Sequence, residues 1–279
     1  MSNKKDLETS GATALTIPDD VLPDGAGLEN ADSSSFATPF MRLLQKGSPQ
    51  ADPDSESFIE GTKAGMLYDT IGGEVIDPEK EKIQFIPVGY KRVFVEWVPR
   101  NETDSDGRQG FIAEYDPVEG EELMRQTTLN DKNRDILPNG HELNDTRIHY
   151  VVVVRGNGIF YPGVINMERT QVKRSRRWFS DMNKQVTARG LRATCQLIYS
   201  VGSEAQQKDN NTWRIWDIKA PSLVTDQNQL NAAIKFYQAF QQGAVKSVDQ
   251  EPGGEATSEK AKTPTGESEN PQPSEPATF

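Results

Sequence analysis

Apolar residues along this chain fall into short alternating or continuous runs, separated by polar stretches rich in Gly, Pro, Asn and Asp. RIHYVVVV, Arg147 to Val154, is the strongest of these runs: continuous and β-branched, it predicts a central strand. YKRVFVEWVPR, Tyr90 to Arg100, predicts a second, which Pro99 closes, and the loop NETDSDGRQG leads into GFIAEYDP, Gly110 to Pro117. RGNG is a turn into IFYPGVINM, where Pro162 and Gly163 predict a bulge or an edge position. LRATCQLIYS (Leu191–Ser200) and TWRIWDIKA (Thr212–Ala220) predict two more strands. Upstream, SFIEGTKAGMLYDT and IGGEVIDPEKEKIQFIPV read as short strands broken by Gly and Pro. Within FATPFMRLLQKGSP (Phe36–Pro49), Phe40, Leu43 and Leu44 share a face and predict an amphipathic turn or two.

Two segments have helical spacing instead. Val172, Phe179, Met182 and Val186 recur at offsets of 7, 3 and 4, with Asn166 available as an N-cap and a stop near Arg189–Gly190. In QNQLNAAIKFYQAFQQG the apolar face is Leu230, Ile234 and Tyr237, extended by Phe240, before Gly243. The resulting order puts one helix between the third and fourth strands of a small sheet, as in an oligonucleotide-binding barrel. The fold expected is mainly β, of α+β type: an OB-like barrel with inserted loops, 116–146 among them, and a C-terminal helix. Residues 1–35, rich in Pro, Gly, Ser and Asp, and the Glu-rich 249–279 predict flexible ends around a folded unit of 36–248.

Composition narrows the chemistry. No run approaches the roughly 18 apolar residues of a spanning helix, and MSNKKDLETSGATALTIPDD has no apolar h-region, so neither membrane insertion nor secretion is expected. Cys195 is the only cysteine and His141 and His149 the only histidines, too few for the usual zinc ligand sets. GxxxxGK[ST], HExxH, GxSxG and nucleotide fingerprints are all missing, so the expectation is a non-enzymatic protein without a cofactor.

Charge changes the picture most. The 279 residues carry 31 Lys and Arg against 42 Asp and Glu, a net charge of -11. Yet RTQVKRSRRWFSDMNKQVTARGLR, 169–192, holds eight cations and one acid, Asp181. Single-stranded nucleic acid needs cations along its phosphates and rings for its bases to stack on. Lys173, Arg174, Arg176, Arg177 and Lys184 are candidates for the first, with Lys91, Arg92 and Arg108 extending the track if the fold brings them near. Ring candidates are Tyr90, Phe94, Trp97, Tyr150, Trp178, Trp213 and Trp216. In WRIW, alternation pairs Arg214 with Trp216 as a ligand-facing couple and leaves Trp213 to the core, while one of Phe94 and Trp97 must be buried. The competing expectation is a solvated helix face, or arginines paired with nearby carboxylates.

With KRVFVEWVPR, RIHYVVVV, VKRSRRW and TWRIWDIKA between Ile83 and Ala220, and an acidic tail ending SEPATF, the chain resembles bacteriophage single-stranded DNA-binding proteins. That resemblance implies an oligonucleotide-binding fold that coats single strands in replication and recombination in the host cytoplasm. It implies DNA contact through Lys173, Arg174, Arg176, Arg177 and Trp178, and recruitment of replication or recombination proteins through Glu275 and Phe279. The tail's six glutamates and two lysines from 251 to 279 are also suited to compete for a basic groove within the same molecule. The alternative is a phage structural or adaptor protein that docks through its ends and Phe36–Leu44. Exposure of Arg214, Trp216 and Trp178 beside the cations of 173–177 favours DNA; their burial favours the adaptor.

Overall fold

β-Branched and aromatic residues build two long strands around which the rest assembles. A computed structural model describes residues 39–245, apart from 101, 209 and 210. Three short strands, β1 (Met41–Leu43), β2 (Leu67–Asp69) and β3 (Glu74–Ile76), form an antiparallel sheet in that order. The main sheet contains β4 (Ile83–Trp97), β5 (Phe111–Tyr115), β6 (Thr128–Leu129), β7 (Asp135–Ile136), β8 (Glu142–Arg155), β9 (Phe160–Glu168), β10 (Leu197–Lys208) and β11 (Asn211–Leu223). The helices are α1 (Pro117–Met124), α2 (Val172–Arg189) and α3 (Gln227–Gln241).

β4 pairs with β8 along nearly its whole length, from Ile83 opposite Arg155 to Trp97 opposite Glu142. On its other side it serves two partners, β10 beside Ile83–Phe85 and β5 beside Phe94–Trp97. The register shifts between Pro87 and Gly89, so a proline without an N–H is accommodated at an irregularity inside a long strand. β9 lies on the far side of β8, and β10–β11 is a hairpin.

Alternation in these strands feeds two cores. Phe85, Val151, Val153, Met167, Tyr199 and Trp216 pack with Trp178 and Met182 of α2. Ile86, Val88, Tyr150, Val152 and Ile198 pack with Ala233 and Phe236 of α3. The sheet is therefore covered by a helix on each face, which explains why RIHYVVVV is continuously apolar.

Local signals fix the helix ends. Asp116 caps α1 by accepting from the Val118 and Glu119 N–H groups, with Pro117 at the first helical position. Gly190 closes α2 in the left-handed region, at φ 62°. The long connection 98–141 is pinned by a buried carboxylate: Glu96 accepts from Tyr115 and from Asn139 Nδ2 (2.8 Å), and meets His141 Nδ1 at 2.5 Å.

Several expectations are corrected. No closed barrel forms, because β9 and β11 do not pair with each other. The chain leaves β9 at Arg169, in the left-handed region at φ 52°, and β1 lies in the gap. Phe40 bridges Val164, while Gln45 Oε1 accepts from Arg214 N (2.8 Å) and Gln45 Nε2 donates to Arg214 O (3.1 Å). Gln171 adds a donation to Arg214 O (3.0 Å) and accepts from Trp216 N (3.1 Å). Side-chain amides thus occupy the edge that a strand ladder would have used. Met41–Leu43 is consequently a strand, not an amphipathic turn, with Phe40 in one core and Met41 in the other; Phe36 lies outside the described residues. Asn166 sits inside β9, and Gln171 occupies the N-cap of α2. On α3 the buried side is Ala233 and Phe236, with Phe240 packed beside them. Small Ala233 lets the helix close on the sheet, while Ile234 and Tyr237 stay exposed.

A Cβ on Gly89 would lie 2.9 Å from the Phe240 ring. Gly89→Ala should therefore lower stability by roughly 1–3 kcal/mol, as overpacking does, measurable by denaturant unfolding.

Candidate nucleic-acid interface

α2 carries the cationic segment, and packing decides which side chains it shows. Ser175, Trp178 and Met182 are buried, with Val186 packed beside them. His149 of β8 selects that face: its Nε2 lies 2.7 Å from Ser175 Oγ, and its ring is 4.6 Å from that of Trp178. Trp178 also meets Tyr199 edge-on at 5.8 Å, while Tyr199 donates to Asp181 (3.1 Å). Burial, reinforced by nearby Arg147, pushes the His149 imidazole down to about 3, so it is neutral in the fold.

This reverses two ring assignments. Trp178, expected as a stacking platform, is 3% exposed, and Phe179, expected in the core, is 48% exposed. Successive helical residues point about 100° apart, so the slot formed by His149 and Tyr199 admits only one of the pair. Phe179 instead lies over Tyr90, with ring centroids 5.0 Å apart. On β11, Trp216 is 2% exposed and packs on Phe85 at 5.8 Å, so it is not ligand-facing; Trp213 is the partly exposed one. Tyr150 is buried under Phe236 and Phe240 of α3, and Phe94 under α1.

The candidate cations divide sharply. Arg92 pairs through two nitrogens with Asp145, at 3.1 Å each, reaches Glu121 as well, and lies 4.8 Å over the Phe94 ring. It belongs to an ion network, not to a phosphate track. Lys91 is held by Glu114, and Arg108 by Asp104 and Asp106. Arg174 bonds Glu204 at 2.6 Å. By contrast, Lys173, Arg176, Arg177 and Lys184 are exposed and make no ion pair among the described residues. Lys173, Arg177 and Lys184 recur at spacings of four and seven, a single row along the solvent side of α2.

A groove of about 410 Å³ separates α2 from β11. Arg174, Arg177 and Lys219 line it, but so do Asp181, Glu204 and Asp217, so its charge balances. Arg214 sits at the seam, where its backbone is held by Gln45 and Gln171. The positive surface is thus the outer face of the helix, not the groove. Glu275 and Phe279 lie outside the described residues, as do the predicted flexible ends.

A second cavity, of about 520 Å³, opens where β1, the end of β9 and the start of β8 meet. Buried Glu142 receives Arg134 (2.6 Å) and Arg169 there. Asn166 Oδ1 and Glu168 Oε2 are sealed from solvent without a hydrogen-bond partner among the described residues. Burial pushes the Glu168 carboxyl up to about 7, against the opposing pull of Arg134. Sequence reasoning missed this site, although polar Asn166 and Glu168 at alternate positions of an apolar strand were its signal. Among the described residues no group of three or more His, Cys, Asp or Glu is arranged to hold a metal. No described helix is long and apolar enough to cross a membrane.

The profile of the Pam3 phage gp34-like protein family matches residues 9–246. The chain belongs to that family. A phage protein is therefore in hand, and the family match spans all the elements of both sheets and all three helices. No curated protein and no solved structure gives a match.

His149 and Glu168 give this family member opposed pH dependences. The unfolded chain protonates His149 near 6.5, the folded chain only near 3, so this residue lowers stability as pH falls through that window. The folded chain keeps the Glu168 proton to about 7, the unfolded chain only to 4.5, so that residue lowers stability as pH rises from 4.5 to 7. Each slope is bounded by about 1.4 kcal/mol per pH unit. Between pH 4.5 and 6.5, denaturant titrations of His149→Phe should show a slope of stability against pH more negative than the parent's. Glu168→Gln should show one more positive.

Proposed function

We propose that this phage protein binds single-stranded DNA without sequence preference, through the outer face of α2, during replication or recombination in the host cytoplasm. One observation carries the reading. In a chain of net charge -11, α2 carries five exposed cations without an ion pair among the described residues, Lys173, Arg176, Arg177, Lys184 and Arg189, the densest such group on any described helix or strand. Phe179, exposed over Tyr90 and three residues from Arg176, supplies a ring for a base to stack on.

Connectivity lends support. β4, β8 and β9 form a meander, α2 follows, and the β10–β11 hairpin returns β10 antiparallel to β4. That order is similar to the connection of an oligonucleotide-binding fold, but without the closing pair between β9 and β11. Such folds carry ligands on the face of their second and third strands. In this chain α3 covers part of that face, which supports the outer face of α2 as the contact surface.

Burial of Trp178 and Trp216 favours the second reading, a structural or adaptor protein. Its docking surface would be α3, whose fifteen residues include one charge, Lys235, and whose Ile234 and Tyr237 are exposed. The two readings separate on nucleic acid alone.

Titration with labelled single- and double-stranded oligonucleotides over a salt series should show preference for single strands and loss of affinity as salt rises. The triple variant Lys173→Glu, Arg177→Glu, Lys184→Glu should weaken all sequences alike and flatten the salt slope by about 2, at roughly 0.7 per phosphate contact. Phe179→Ala should remove roughly 1–3 kcal/mol of stacking, and Trp216→Ala should reduce stability instead of contact. Absence of a single-strand preference would leave the adaptor reading standing.

The Glu-rich tail is the natural competitor for the same cations. Deleting residues 251–279 should strengthen oligonucleotide binding at low salt, an effect that fades as salt rises; equal affinity of the two forms would reject competition by the tail.

A further inference from the structure

β9 has an open edge, and the chain enters the described structure beside it. On one side β9 pairs with β8 along its length. On the other, Val164 N–H donates to Pro39 C=O (2.8 Å) and Val164 bridges Phe40 in parallel, but no described strand continues that pairing toward Phe160. Arg155 N–H donates to Ile159 C=O (2.8 Å) across the β8–β9 turn, which sets the phase of the ladder. Tyr161 and Gly163 therefore bond toward β8, while Phe160, Pro162 and Val164 turn their backbone groups outward. Pro162 is exposed, and Phe160 is half-buried at the rim of the core under α3. Unpaired strand groups of this kind are a template for another strand.

Register and reach select the occupant. A chain extended upstream from Phe40 sets Thr38 opposite Pro162 and Phe36 opposite Phe160. A period of two puts Phe36 on the same face as Phe40, which is buried in the core under α3. Thr38 precedes a proline, which favours extended backbone. Pro39 and Pro162 leave one rung without a donor, but the next is complete: Phe160 N–H to Ser35 C=O, and Ala37 N–H to Phe160 C=O. The open stretch Phe160–Gly163 is about 13 Å long at roughly 3.3 Å per residue. That is too short for a stable dimer, in which each partner buries about 800 Å². A segment of the same chain meets it at an effective concentration of millimolar order. The family profile starts at residue 9 and so includes the stretch before Pro39.

We infer that the β9 edge is a strand-addition site closed by the chain's own residues 34–38, with Phe36 seated against Phe160. Those residues lie outside the described ones; the open edge, the register and the entry at Pro39 identify them. Closure in this way withholds the edge from the strands of other chains.

Disulfide trapping in the full chain tests the register. In a Cys195→Ser background, Phe36→Cys with Phe160→Cys should form an intramolecular disulfide under mild oxidation, since directly opposed strand residues lie within disulfide reach. Phe36→Cys with Arg125→Cys, which follows α1 at the other end of β4, should not. An intermolecular disulfide in the first pair would assign the edge to a second copy, and equal trapping of both pairs would remove the register; either overturns the inference. Hydrogen exchange measured by NMR needs no cysteine. The Phe160 amide should be protected in the parent, and Phe36→Asp should speed its exchange at least tenfold while the Val152 amide keeps its rate. A Phe160 amide that exchanges in the parent as fast as in an unfolded chain, or at the parental rate in Phe36→Asp, would overturn it.

Discussion

The β4 ladder is the constraint on which the other elements depend. One strand of fifteen residues pairs with β8 on one side and divides its other side between β10 and β5. An irregularity bends a strand and so aims its two halves in different directions, and the register shift at Pro87–Gly89 lies between the stretches that pair with β10 and β5. The same position lacks a side chain, so Phe240 of α3 closes directly over the backbone. Sheet curvature and the docking of the last helix therefore share one short segment.

Electrostatics in this molecule are a matter of sorting. Acidic residues exceed basic ones, yet they are not spread as an even negative field. Asp145 and Glu121 take Arg92; Glu74 and Glu81 take Arg155; Glu142 takes Arg134 and Arg169. Most of these pairs join separate elements and so act as ties between them. Where a partner is exposed, as Glu121 and Glu74 are, the pair contributes little to stability by itself. Their larger effect is on the surface potential, because they neutralise cations on the long strands while α2 keeps a dense row of unpaired ones.

The pattern of residues along the chain made the strands around Arg147–Val154 and Tyr90–Trp97 legible, as well as the stop of α2 at Gly190; of the expected strand Leu191–Ser200 only Leu197–Ser200 is strand, since Thr194–Gln196 forms a helical turn. These depend on local propensity and on one backbone conformation. The choice between Trp178 and Phe179 was not legible, since both neighbours suit an apolar stripe. It was settled by His149 and Tyr199, which arrive from other strands. Arg92 is similar: nothing in KRVFVEW announces Asp145 or Glu121, which the fold alone brings to it. The Asn166–Glu168 cavity went unseen for the same reason, as it takes β1 to build its opposite wall.

Where β9 and β11 would meet, the chain substitutes two glutamine side chains and a three-residue strand for a backbone ladder. A ladder is cooperative, and each bond in it is fixed by its neighbours. An amide on a flexible stem can let go by rotating about its own bonds, without moving the main chain. The perimeter of the sheet is thus fastened by rotamers at one place, over buried Met41 and Trp216. Gln171 stands at that fastening and one residue before α2, so the cationic helix begins where side chains, not a backbone ladder, hold the sheet edge.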